Sequence, residues 1–148
     1  MSIPYLTVVS KVKWRGGLDV VAEWKKGRAL TPEGADMKYT LPGPLTIIGT
    51  TANRFYATEA ELAADLAEIL NEFVVRPLAA AGCRYVQVDE PVFARKPEAA
   101  LEYGVKLLDK CFQGIGGGGC QRVVHICCGY PERLDQKGYL KVVYFRPR

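Results

Sequence analysis

Short β-branched runs alternate with stretches of helical periodicity along the 148-residue chain, and this alternation constrains the fold more than any other feature. Thr7 to Trp14 (TVVSKVKW), Met37 to Leu41 (MKYTL), Arg84 to Asp89 (RYVQVD) and Arg122 to Cys128 (RVVHICC) read as strands. Between the first two, Leu18, Val21, Ala22 and Trp24 fall near helical spacing. Thr58 opens the clearest helix: its hydroxyl can accept the Glu61 N–H while the Glu61 carboxylate reaches back to the cap. Leu62, Leu66, Ile69, Leu70, Phe73 and Leu78 then form one apolar stripe, Pro77 should kink the last turn, and Gly82 suits a left-handed cap. Pro97 opens a further helix with Leu101, Val105, Leu108 and Phe112 as its stripe.

Strand–helix alternation of this kind builds a parallel α/β sheet with right-handed crossovers. A (β/α)8 barrel and an open doubly wound sheet both satisfy it, and periodicity does not choose between them. In either fold, functional groups gather at the C-terminal ends of the strands.

Composition narrows the class. Hydrophobic residues make up 49% and charged residues 24%, which suits a folded globular chain and not a disordered one. The net charge of +4 is mild, and Lys11, Lys13, Arg15, Lys25, Lys26 and Arg28 read as a solvated surface, so no nucleic-acid partner is expected. No stretch approaches the ~20 apolar residues of a membrane span. The opening MSIPYLTVVSKVK lacks a basic segment before an apolar core, so it is not read as a secretory signal. Five cysteines, an odd number, fit reduced thiols in a cytoplasmic protein better than a disulfide framework.

Three strand ends carry unusual residues: Pro42-Gly43-Pro44, Asp89-Glu90-Pro91 and His125-Ile126-Cys127-Cys128. Side chains alternate along a strand, so His125 and Cys127 share a side. Imidazole and thiolate are both zinc ligands, and two on one strand supply half a tetrahedral site. An isolated H-x-C is as readily a satisfied core histidine beside a small buried cysteine, and on these residues alone both readings stand. Cys128 points the other way and reads as packed under a helix, while Cys83, Cys111 and Cys120 read as structural. Asp89 shares a face with Gln87. A carboxylate ending an apolar strand is costly to bury without a partner, so it either holds an amine or caps the next turn. Glu90, opposite Asp89, reads as structural. The run Gly116 to Gly119 precedes a strand and lacks a following Gly-Lys-Ser/Thr, so it reads as a flexible joint and not a phosphate loop.

TLPGPLTI (Thr40 to Ile47), VQVDEPVF (Val86 to Phe93) and HICCGY (His125 to Tyr130), with TVVSKVKW before them, resemble consecutive strand-end motifs of the cobalamin-independent methionine synthase family, in particular its C-terminal catalytic barrel domain and a group of short relatives. The resemblance runs from about residue 5 to residue 141. It implies a (β/α)8 barrel that uses zinc, and no cobalamin, to move a methyl group from a 5-methyltetrahydrofolate-type donor to the thiol of homocysteine. It implies that His125 and Cys127 are metal ligands and that Asp89 binds the substrate's amino group, with no catalytic residue beyond the metal ligands. The family completes its metal site with a Glu and another Cys from later strands. Near its aromatic folate contact this chain has Gly49-Thr50-Thr51, so the donor stays open.

A complete barrel needs about 250 residues. Residues 1–148 are therefore expected to form a single incomplete barrel domain of about four parallel strands, carrying part of a methyltransferase site, inactive alone and prone to self-association through open sheet edges. Another thiol alkyltransferase, a decarboxylase-like relative of the same barrel, and a non-catalytic fragment are the alternatives.

Overall fold

The computed structural model describes residues 6–116 and 119–127. In chain order the elements are β1 (Leu6–Val8), α1 (Val20–Ala29), β2 (Tyr39–Pro42), α2 (Pro44–Ile48), β3 (Thr51–Asn53), α3 (Glu59–Leu70), α4 (Arg76–Ala80), β4 (Tyr85–Asp89), α5 (Val92–Arg95), α6 (Pro97–Ala99), α7 (Val105–Cys111) and β5 (Gln121–His125). Every strand pairing is parallel. The main sheet runs β2-β4-β5, and β1 pairs with β3 in a separate two-stranded ladder.

The strands alternate as their sequences require. Val86 and Val88 of β4 are fully buried beneath the helices, whereas Tyr85, Gln87 and Asp89 face the opposite side and are half-buried. On β2, Leu41 is buried while Thr40 and Pro42 are exposed on the same side as Gln87 and Asp89. The helices lie on the Val86–Val88 face. Leu45, Leu62, Leu78, Val75, Phe93 and Cys111 are among the residues that close the core there.

Local capping follows the sequence closely. Asp19 caps α1 by accepting the Ala22 N–H at 2.9 Å. Thr58 caps α3 by accepting the Glu61 N–H at 3.1 Å, and the Glu61 carboxylate reaches back to the Ala57 N–H, one residue further than expected. After α4, Gly82 adopts φ 93°. The Cys83 N–H then bonds the Leu78 carbonyl and the Gly82 N–H that of Ala79, the double bond of a Schellman cap.

Two wide π turns depart from the expected regular helices. Asn71–Val75 joins α3 to α4, and Ala100–Gly104 joins α6 to α7. The first absorbs Pro77, which has no N–H to give the carbonyl four residues back. Each turn holds an extra residue and so rotates the buried face. Phe73 is 36% exposed while Val74 and Val75 are buried. Leu101 and Val105, expected in the stripe, are 82% and 54% exposed, and the face that packs is Ala100, Gly104, Leu107 and Cys111.

The strand inventory also differs from expectation. The first strand is short, ending at Val8, and its ladder partner is Thr51–Asn53, a segment without a strand pattern. The following segment is held by side chains instead. Tyr56 Oη accepts the Val12 N–H at 2.8 Å and donates to Asp65 Oδ2 at 2.7 Å, and the Trp14 ring stacks on Phe73 with centroids 5.6 Å apart. The edges of the main sheet are consequently β2 and β5, whereas Thr7–Trp14 lies outside it.

Candidate active site at the strand ends

The three strands of the main sheet end in one row. Pro42 aligns with Asp89, and Asp89 with His125. Residues aligned across a ladder point to the same face, so Asp89 and His125 stand side by side on the face opposite Val86 and Val88. Backbone bonds tie the row together beyond the ladder: the Gly43 N–H donates to the Asp89 carbonyl and the Glu90 N–H to that of His125, both at 2.8 Å.

Asp89 is half-buried and accepts from Gln87 Nε2 through Oδ1 at 2.6 Å. His125 is exposed, and Cys127, two residues on, is a half-buried free thiol. Cys128 lies outside the described residues. An imidazole and a thiol two residues apart suit zinc as a donor pair. Among the described residues no three histidines, cysteines or carboxylates gather closely enough to hold a metal ion. The described residues thus present a donor pair and not a closed site. A cleft of about 500 Å3 lined by Trp14, Leu18, Phe73 and Pro77 involves none of these residues.

Glu90 is structural, as the sequence predicts, and its role is specific. Its carboxylate is completely buried. Oε1 accepts the Leu45 N–H at 3.0 Å, and Oε2 accepts the Thr46 N–H at 2.9 Å and the Thr46 hydroxyl at 2.8 Å. These are the donors that the first turn of α2 leaves unpaired. Glu90 therefore fastens the Pro42-Gly43-Pro44 bend to the Asp89 strand end. Burial pushes its acidity weaker than an ordinary carboxyl group, while the Thr46 and Leu45 donors pull the other way.

The remaining cysteines are structural, as expected. Cys83, Cys111 and Cys120 are buried, and burial pushes the Cys111 thiol up to about 12. No helix among the described residues is long and apolar enough to cross a membrane.

Residues 8–108 match the family model described as cobalamin-independent synthase, catalytic domain. The chain belongs to the cobalamin-independent methionine synthase family. A methionine synthase of Saccharolobus solfataricus is 29% identical over 151 residues, covering 95% of this chain and 43% of that protein. A methionine synthase of Sulfurisphaera tokodaii is 33% identical over 101 residues, covering 68% of this chain and 28% of its own length. Among solved structures, a B12-independent methionine synthase from Shewanella sp. W3-18-1 in complex with selenomethionine superposes with a TM-score of 0.74 at 35% identity, covering 84% of this chain and 34% of that one. The chain therefore spans less than half the length of these family members. The parallel strands and their helices are part of a (β/α)8 barrel, which selects the barrel over the open sheet, and the row Pro42–Asp89–His125 lies at the C-terminal ends of its strands.

Proposed function

We propose that residues 1–148 are a single incomplete barrel domain carrying the substrate-amine contact and part of the zinc site of a methyltransferase that acts on the thiol of homocysteine. The observation that supports this most is the alignment of Asp89 with His125 on the inner face of the strand ends, with Cys127 two residues beyond. In this reading Asp89 takes the ammonium group of the amino acid, and His125 and Cys127 supply two metal ligands. Bound zinc would lower the pKa of the substrate thiol, so that a nucleophilic thiolate forms at neutral pH. The thiol loses its proton, a sulfur–carbon bond forms, the methyl–nitrogen bond of a methylfolate-type donor breaks, and the donor nitrogen is left to take up a proton. No cobalamin takes part. The selenomethionine bound in the Shewanella protein is the selenium analogue of the product of such a transfer, which favours this acceptor over another thiol.

Catalytic zinc normally has three protein ligands plus substrate. With only the two that the described residues offer, the chain would bind zinc weakly and would not turn over by itself. Chelator competition on the purified chain tests this: weak zinc affinity, lowered further in both His125→Ala and Cys127→Ala, is the expected result. Affinity unchanged by either substitution removes the metal assignment. Tight one-to-one zinc abolished by Cys127→Ala would show that further ligands lie within the chain and that it is more complete than proposed.

A further inference from the structure

A carboxylate that selects an ammonium group must be aimed as well as charged, and the structure contains an aiming device. The terminal torsion of an aspartate is broad, so an unsupported Asp89 would rotate freely. Gln87 Nε2 donates to Asp89 Oδ1 at 2.6 Å, and Lys38 Nζ donates to Gln87 Oε1 at 2.6 Å. Only one orientation of the Gln87 amide satisfies both neighbours: its oxygen must face the ammonium and its nitrogen the carboxylate. The three side chains lie on one face by strand alternation, Gln87 and Asp89 on β4 and Lys38 two residues before Thr40, the partner of Gln87 on β2.

We infer that Gln87, held by Lys38, is a positioning residue for Asp89, fixing Oδ1 so that Oδ2 is presented to the substrate ammonium beside His125. The inference rests on the reading of Asp89 as the amine partner. A neutral amide is suited to this task. It occupies one oxygen without neutralising the carboxylate, which a directly paired lysine or arginine would do. Lys38 acts at one remove. It fixes and polarises the amide while its own charge stays a full glutamine side chain away from the ammonium that Asp89 is to hold.

The test compares L-homocysteine with 4-sulfanylbutanoate, the same thiol acid without its amine, titrated by NMR into the wild-type chain and into Asp89→Asn, Gln87→Leu and Lys38→Met. The wild type should prefer homocysteine, and Asp89→Asn should lose that preference. Gln87→Leu should lose about tenfold of it with little change towards the amine-free analogue, the scale of one hydrogen bond to a charged group. Lys38→Met, at an exposed position that does not endanger the fold, should lose about two- to threefold. The Gln87 side-chain amide resonance should move in Asp89→Asn, which checks that the contact persists in solution, while the selective loss of the amine preference separates positioning from a purely structural role. If Asp89→Asn loses the preference and Gln87→Leu or Lys38→Met keeps it in full, the positioning role is wrong and the amine reading stands. If Gln87→Leu fails to fold, Lys38→Met decides alone. If Asp89→Asn keeps the wild-type preference, or the wild type shows no difference between the two thiols, the amine reading falls and the positioning role with it.

Discussion

The carboxylate of Glu90 occupies the space that a side chain at Gly43 would need: a Cβ built there meets Glu90 Oε1, Cδ and Cγ. Gly43 has φ −83°, open to any residue, so the requirement for glycine is one of room and not of backbone freedom. Gly43→Ala must push Glu90 off the Leu45 and Thr46 donors. We expect it to destabilise the chain by about 1–3 kcal/mol, as overpacking of a filled site does. Urea unfolding measures this. The cost should be strongly non-additive with Glu90→Ala, which empties the same space. An additive pair would show that the two residues do not compete for it.

The buried Glu90 carboxyl group also makes stability depend on pH. Its folded-state pKa is raised from the ordinary 4.5 by burial, so the folded chain holds this proton more tightly than the unfolded chain. The associated stabilisation is complete below pH 4.5 and is lost as pH rises through the folded value. Glu90→Gln cannot titrate. The wild type's stability relative to Glu90→Gln should therefore be greatest in acid and should shrink as pH rises above about 4.5. Denaturant melts of both proteins across pH 4 to 8 read the difference directly. A wild-type advantage that grows with pH would mean that the Thr46 and Leu45 donors outweigh burial.

What was legible in the sequence follows the range of the interactions. Caps at Thr58 and Gly82 depend on neighbours within five residues, and the three strands of the main sheet carry their own alternation, so both could be read directly. The misplaced stripes at Phe73 and at Leu101–Val105 arise from the π turns, which shift the buried face by one residue without any apolar signal of their own. The face that results relies on small residues. At Gly104 a Cβ would come within 2.9 Å of Leu45 Cδ2 and 3.0 Å of Phe93 Cε1, a fit that a hydrophobicity pattern does not register. Within the candidate site, the shared face of Gln87 and Asp89 was visible from period 2. The alignment with His125 needed the register, and the clamp by Glu90 needed a contact between residues 45 positions apart.

Thiol chemistry separates the strand-end cysteine from the packed ones. Cys83, Cys111 and Cys120 are buried, with burial pushing all three thiols above the usual range and Cys111 to about 12, whereas Cys127 is partly accessible. Brief treatment of the native chain with iodoacetamide at pH 7.5, read by peptide mass spectrometry, should label Cys127 at least tenfold faster than these three. Excess zinc should slow labelling of Cys127 and leave the others unchanged. Labelling of Cys111 as fast as Cys127 would mean that the core opens on the timescale of the reaction.

The last expectation concerns assembly. Among the described residues β5 pairs only with β4, so its other edge presents unpaired backbone donors and acceptors. On the helix side of that edge Val124 is 43% exposed, and Leu101 and Val105 stand out from the neighbouring helix. Val105, Leu108, Phe112 and Val124 line a cleft of about 230 Å3 there, with Arg122 and Asp109 at its sides. A strand edge beside an apolar cleft offers both main-chain pairing and burial to a strand from a second copy. The edge has some protection, since Arg122 sits 3.5 Å from Asp109, but the two are exposed and such a pair is worth about 1 kcal/mol at most. We therefore expect the isolated chain to self-associate through β5 and to bind hydrophobic dyes. Val124→Lys, which places a charge on this edge without touching Asp89, His125 or Cys127, should shift the population towards monomer. Light scattering after size exclusion, with a thermal melt alongside, decides the matter. A monodisperse wild-type monomer with a sharp melt would mean that the strands close their own core and that the edge is covered from within the chain.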